Sequence, residues 1–337
     1  MEADISEQAG RYCKWMVPAL AVNCQTDLQS QFLNCLQLSN GPFMAAAFVF
    51  PMHLLFLYSL VIRLSFGVVG IALANTLSSM LMLLFMLLFQ HYFLEKEHPI
   101  HRIVGVPVSK ETYGWKEMQS QLAFGLACSV PTFLRWVQFE LMGVESAYLE
   151  SYKSAAVTIG LQVESLTWGF SEGIKVAAVS LIGFEMGAGN IEKSKRLARL
   201  VMLQTLVFIV FCCSLLYLFT LELIQVYTQN TLIVQAFQNH ALALLLLISG
   251  DLFLSALVGL VKALGKQVDL MLPSLVCCYF IALPTSYYFC FHTSLQASGL
   301  FFGTFIAYAI FSFWLVILIY FKYDWQLISN SIQHKAI

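Results

Sequence analysis

Long apolar runs, broken at intervals by short polar stretches, dominate the chain. Runs such as "SSMLMLLFMLLFQHYF" and "LARLVMLQTLVFIVFCCSLLYLF" have the scale of the about 20 helical residues that cross a ~30 Å hydrocarbon core. The pattern predicts nine spans, near residues 15–36, 43–63, 67–92, 118–144, 153–184, 197–222, 232–261, 269–291 and 299–321. Asp27 and several glutamines interrupt the first of them. The polar stretch 94–117, with "EKEHPIHR" and "SKETYGWKE", predicts a linker between a block of three spans and a block of six.

Composition agrees with the pattern. Of the 337 residues, 59% are hydrophobic and only 11% charged, against about 45–50% and about 25% in soluble domains. The class is an all-α polytopic membrane protein. A net charge of −1 gives no reason to expect nucleic acid as a partner. Twelve of the 18 Lys and Arg cluster in 94–117, 193–199, 262–266 and the tail after 321. All four fall on one side of a nine-span layout, which the positive-inside rule makes cytosolic, C-terminus included. Met1 then lies on the other side, yet "MEADISEQAGRYCKW" lacks the basic and apolar regions of a signal peptide. The nine cysteines include no C-x-x-C, and most sit in apolar runs as small hydrophobes. No metal site is implied; His98 and His101 in the linker are the candidate ligand pair, and a solvated loop is the plainer account of them.

A layout repeats inside the chain. "LSFGVVGIALANTLSS" (64–79) and "LQASGLFFGTFIAYAI" (295–310) align with Gly70 over Gly299, an offset of 229 residues. A unit of that length, with its second copy beginning near 112, predicts about 115 residues ahead of Met1, roughly three spans. Two such repeats around a midplane site are a common transporter plan.

Seven ionisable residues interrupt the predicted spans: Asp27, Arg135, Glu140, Glu164, Glu172, Lys175 and Asp251. Each costs about 2.5–3.5 kcal/mol at the bilayer centre, so they are expected to face a bundle interior, a wet cavity or one another. Glu164, Trp168, Glu172 and Lys175 share a helix stripe, and the i,i+3 spacing of Glu172 and Lys175 lets those two pair. Arg135 and Glu140 are five apart and diverge around their helix; Arg135 groups with Gln138, and snorkelling or a bond to another helix is as good an account of it as a functional one. Glu140 and Asp251 have no opposite charge one turn away. A lone intramembrane acid holds a proton, a cation, or a partner on another helix.

With these residues in view, the chain resembles the multidrug and toxic compound extrusion (MATE) transporters. The resemblance is carried by "AGRYCKWMVPAL" leading into "FLNCLQ", then "FGVVGIALAN", "SVPTFLRWVQFE", "GFEMGAGNIEKSKR" and "VGLVKALGKQ", in that order and over nearly the whole chain. It implies twelve helices in two six-helix lobes around a central cavity, with export of organic cations against H⁺ or Na⁺. On that reading, residues 1–93 are the last three helices of an N-lobe lacking its first three, 94–117 the inter-lobe loop, 118–324 a complete C-lobe and 325–337 a tail. The resemblance implies that Glu140 is the second-lobe glutamate that couples cation binding to protons, and that Asp251 is the acid of the seventh predicted span. Two further acidic positions are not kept: Arg135 stands at one and Gln162 at the other, with Glu164 two residues away. Leu181, Phe184 and Lys262 also depart from the family pattern.

The expected function is therefore secondary transport of organic cations, with Glu140, Asp251, Gln162, Glu164 and Trp136 binding substrate or protons and Arg135 modifying the site. A different class is a transport-inactive relative that serves as an assembly subunit of a larger membrane complex. No H-E-x-x-H or G-x-S-x-G motif supports an enzyme. The implied partners are the bilayer, small cations and, in the second case, other membrane subunits; no cofactor beyond the coupling ion is implied.

Overall fold

The computed structural model describes residues 2–93 and 114–336. His98, His101 and most of the expected 94–117 linker lie outside the described residues. Among those described, every regular element is helical. They divide into two compact units at residues 113 and 114.

The first unit contains α1 (Glu2–Cys35), α2 (Asn40–Leu57, continued by a wider π turn over Tyr58–Arg63) and α3 (Gly67–Phe93). Polar side chains tie its helices together, as they do where lipid removes the hydrophobic drive for helix association. Ser79 donates to Asn23, Asn75 lies 3.5 Å from the Met16 sulfur, and His53 Nδ1 is 2.8 Å from Ser78 Oγ. On α1, Asn23 thus supplies a polar link to α3. Asp27 and Gln25 on the same helix are exposed.

The second unit contains α4 (Trp115–Ser146), α5 (Ser151–Gly187), α6 (Ile191–Leu218), a short α7 (Thr220–Tyr227), α8 (Thr231–Ala263), α9 (Gln267–Phe291), α10 (Ala297–Lys322) and α11 (Trp325–Ala336). Helix α8 is apolar on all sides, the mark of a helix buried all round. It packs against α5, α6 and α10, and Leu247, Ile248, Leu252 and Leu254 on it are fully buried. Gly189 and Gly265, both at positive φ, make the turns that end α5 and α8. Within α9 the helix widens to a π segment over Val276–Ala282, just ahead of Pro284. Proline cannot supply the next backbone donor, and a π segment is one way for a helix to absorb that loss.

All nine predicted stretches are helical. Among the described residues, seven helices are long and apolar enough to cross a membrane by length and composition; α1 and α5 carry more polar residues. One element and one boundary were not foreseen. The expected tail forms α11, which docks beneath α5 through a Ser329 hydroxyl donating 2.8 Å to the Met186 carbonyl, and α4 starts at Trp115, inside the expected linker.

The repeated layout has a structural counterpart within each unit. Gly67 and Gln296 (φ 55° and 49°) lead into α3 and α10, and they are 229 residues apart. A β-carbon on Gly70 would meet the Leu60 carbonyl at 3.0 Å; one on Gly299 would lie 2.6 Å from the Cys290 nitrogen and the Phe289 carbonyl oxygen. Leu60 and Phe289 are again 229 apart, so the same crossing is built twice. One turn further along α10, a β-carbon on Gly303 would strike the Ser286 backbone and lie 2.7 Å from the Thr285 carbonyl carbon. Because backbone cannot give way as a side chain can, Gly303→Ala is expected to cost about 1–3 kcal/mol. Detergent-solubilised protein would reveal this as a lowered unfolding midpoint.

Candidate functional site

Helices α4 and α5 form a hairpin closed by a tight turn. Ser146 donates 2.7 Å to the Gly143 carbonyl, and the Lys153 backbone donates 2.8 Å to the carbonyl of Glu150. At this turn the Tyr152 hydroxyl and the Lys153 ammonium hold the Glu150 carboxyl below its ordinary range. Beyond the turn a cavity of about 280 Å³ lies between the two helices, close to the lower end of the about 300–1,000 Å³ typical of small-ligand sites.

Five of the six sequence-predicted residues line it: Arg135, Trp136, Glu140, Gln162 and Glu164. Trp168 joins them, its ring edge-on to Trp136 with centroids 5.3 Å apart. Glu172, one turn beyond Trp168, is also in the wall and pairs with Lys175 as the i,i+3 spacing predicts.

Asp251 departs from expectation. It is not a lone acid and does not line the cavity. It sits behind the wall, 3% exposed, where Arg135 donates to its Oδ1 and Ser171 Oγ donates 2.7 Å to its Oδ2. The partner it lacks within α8 comes from α4, 116 residues away in sequence. The Arg135 guanidinium also lies 5.3 Å from the centre of the Tyr308 ring, a cation–π contact. Tyr308 in turn donates 3.2 Å to Gln138, whose amide donates 3.2 Å to Thr304. Arg135 therefore ties α4 to α8 and α10, and Gln138 continues the same seam.

The charge balance of the cavity follows. Arg135 is spent on Asp251 and Glu172 on Lys175. Glu164 is 5% exposed, and its Oε1 has no hydrogen-bond partner among the described residues. Glu140, more open, makes no ion pair among the described residues. Two carboxylates thus face a cavity walled by two indoles. A buried carboxylate left dry is costly, so Glu164 calls for water, a proton or a cation in the space it lines beside the more open Glu140.

Sequence reasoning missed Ser171 and Tyr308. Ser171 was within reach: it lies seven residues after Glu164 and four before Lys175, on the stripe already recognised. Tyr308 had no such signal, because its role depends on how α10 packs against α4.

The residues that line the cavity lie within the segment that matches a family model, MatE, over residues 127–288. Protein DETOXIFICATION 7 of Arabidopsis thaliana is 24% identical over 309 residues, covering 90% of this chain and 59% of the relative. Multidrug and toxin extrusion protein 1 of Danio rerio is 24% identical over 323 residues, covering 94% and 52%. The crystal structure of the eukaryotic MATE transporter AtDTX14 superposes with a TM-score of 0.88 at 19% identity, over 98% of this chain and 72% of that one. Over residues 127–288 the chain matches the MatE family model, and its fold is that of MATE transporters. An outward-facing MATE-family multidrug resistance transporter has the same fold, with a TM-score of 0.80 at 15% identity over 96% and 70%. The chain spans little more than half the length of the curated relatives it matches.

Proposed function

We propose that this chain works as part of a secondary transporter that exchanges organic cations or xenobiotics for H⁺ or Na⁺, with the α4–α5 cavity as its binding site. One observation carries the reading: Glu140 and Glu164 are left without ionic partners in a space walled by Trp136 and Trp168. Indole faces attract desolvated cations. The two carboxylates offer either a counter-charge to the substrate or a seat for the coupling ion, which is the competition an exchanger requires. The names of the relatives, multidrug and toxin extrusion among them, point to the same substrate class. The direct test loads vesicles containing the protein with a fluorescent organic cation and imposes a pH or Na⁺ gradient. Gradient-driven efflux supports the proposal, and its absence from folded, correctly inserted protein removes it.

Trp136→Ala keeps the charges and removes one aromatic wall. It is expected to weaken binding of an aromatic cation by about 1–2 kcal/mol, roughly five- to thirtyfold in Kd. Quenching of the remaining tryptophan fluorescence on titration would measure it.

A second reading, an assembly subunit of a larger membrane complex, is favoured by Gln25 and Asp27. Both are exposed on a helix of a membrane-spanning chain, where polar groups call for a cover of protein or water. A defined complex of fixed stoichiometry on a native gel, with no transport from the isolated chain, would support it.

A further inference from the structure

A second and larger hollow, about 1430 Å³, lies where α6 begins and α10 ends. Its wall is apolar and drawn from three helices: Met202 and Leu206 of α6, Phe253 and Leu257 of α8, Val316 and Ile319 of α10. Its rim is basic and aromatic, with Lys193, Lys195, Arg199 and Lys322 beside Tyr320 and Trp325.

The charges on this rim do not balance locally. Lys193 bridges Glu185, and Lys195 lies 3.2 Å from Glu192. The Asp324 carboxylate accepts from the backbone nitrogens of Gln326 and Leu327, at 2.9 and 3.3 Å, capping α11. Arg199 donates only to a backbone carbonyl, and neither it nor Lys322 has a carboxylate partner among the described residues. Even with Glu185, Glu192 and Asp324 set against Lys193, Lys195, Arg199 and Lys322, the rim keeps an excess of positive charge, and Arg199 and Lys322 have no carboxylate partner among the described residues. The apolar side is just as open: Leu206 is 49% exposed and Phe321 85%. A soluble anion would satisfy the rim and leave the wall bare, whereas a zwitterionic lipid would cover the wall without meeting the excess positive charge. Basic pockets between helices at the Lys/Arg-rich membrane surface match anionic headgroups, and Trp and Tyr favour the same depth.

We propose that this groove binds an anionic glycerophospholipid, its phosphate held by Arg199 and Lys322 and one acyl chain laid along the wall formed by α6, α8 and α10. The seat lies apart from the α4–α5 cavity and does not depend on what that cavity carries.

The test is native mass spectrometry of the full chain released from detergent, titrated with phosphatidylglycerol or phosphatidylcholine of identical acyl chains. Phosphatidylglycerol is expected to be retained in preference. Each cation removed should cost about fivefold, so R199Q/K322Q should weaken retention about twenty-fivefold, while R199K/K322R keeps it. Arg63→Gln, in the other unit, should change nothing. If the double variant does not fold, Lys322→Gln alone should still show its fivefold loss. Leu206→Trp, which fills part of the wall, should weaken phosphatidylglycerol binding and leave inorganic phosphate binding unchanged. Equal retention of the two lipids, or full retention by R199Q/K322Q, would overturn the proposal. So would displacement of the lipid by inorganic phosphate together with no effect of Leu206→Trp, since the site would then be one for soluble anions.

Discussion

Asp251→Ala is expected to destabilise the second unit by about 3–5 kcal/mol, the cost of leaving one member of a buried ion pair without the other. The stranded group would be Arg135, whose side chain is 13% exposed and whose Nε already lacks a partner among the described residues. Removing Asp251 also frees the Ser171 hydroxyl. Arg135→Ala should cost a similar amount for the converse reason. The double change Arg135→Met/Asp251→Leu is the informative one. It removes both charges and refills the space, and buried pairs replaced in this way lie within about 1 kcal/mol of the parent or above it. Chemical unfolding in mild detergent would give all three values. If the double variant lost as much as the sum of the singles, the pair would contribute net stability and this account of it would fail.

Glu140→Gln is expected to abolish gradient-driven efflux while leaving the unfolding midpoint within error of the parent. The two halves of that expectation have separate origins. Glu140 is exposed and makes no ion pair among the described residues, so little packing depends on its charge. Yet it lines the α4–α5 cavity with Glu164, and glutamine can neither release a proton nor offset a cation. Glu172→Gln is the contrasting control, because it leaves the buried Lys175 without its partner and should lower stability first. Vesicles with matched protein content and a fluorescent cation would distinguish the two. Full-rate efflux from the Glu140→Gln protein would take this residue out of the exchange.

Helices were the most legible feature, because lipid demands long apolar runs and leaves little else for the backbone to do. Helix α11 was not, since "WQLISNSIQHKA" has no apolar run and forms against α5 by tertiary contact. The Glu172–Lys175 pair could be read from i,i+3 spacing alone. The Arg135–Asp251 pair could not: its members come from α4 and α8, and no periodicity connects residues 116 apart. That one long-range contact gives Asp251 a partner on another helix and places it behind the cavity wall. It also explains why Arg135, lining a site read here as cation-binding, need not repel a cation. Its charge is already matched from behind.

The glycine crossing of α10 on α9 has a mechanical corollary. Sliding α10 by one turn would bring Ala307 or Leu295 to a crossing point now filled by Gly303 or Gly299, and backbone stands in the way of either. The two helices are therefore locked in register and must travel as a single stave through any working cycle. Shear inside this bundle has to be found among the other helices.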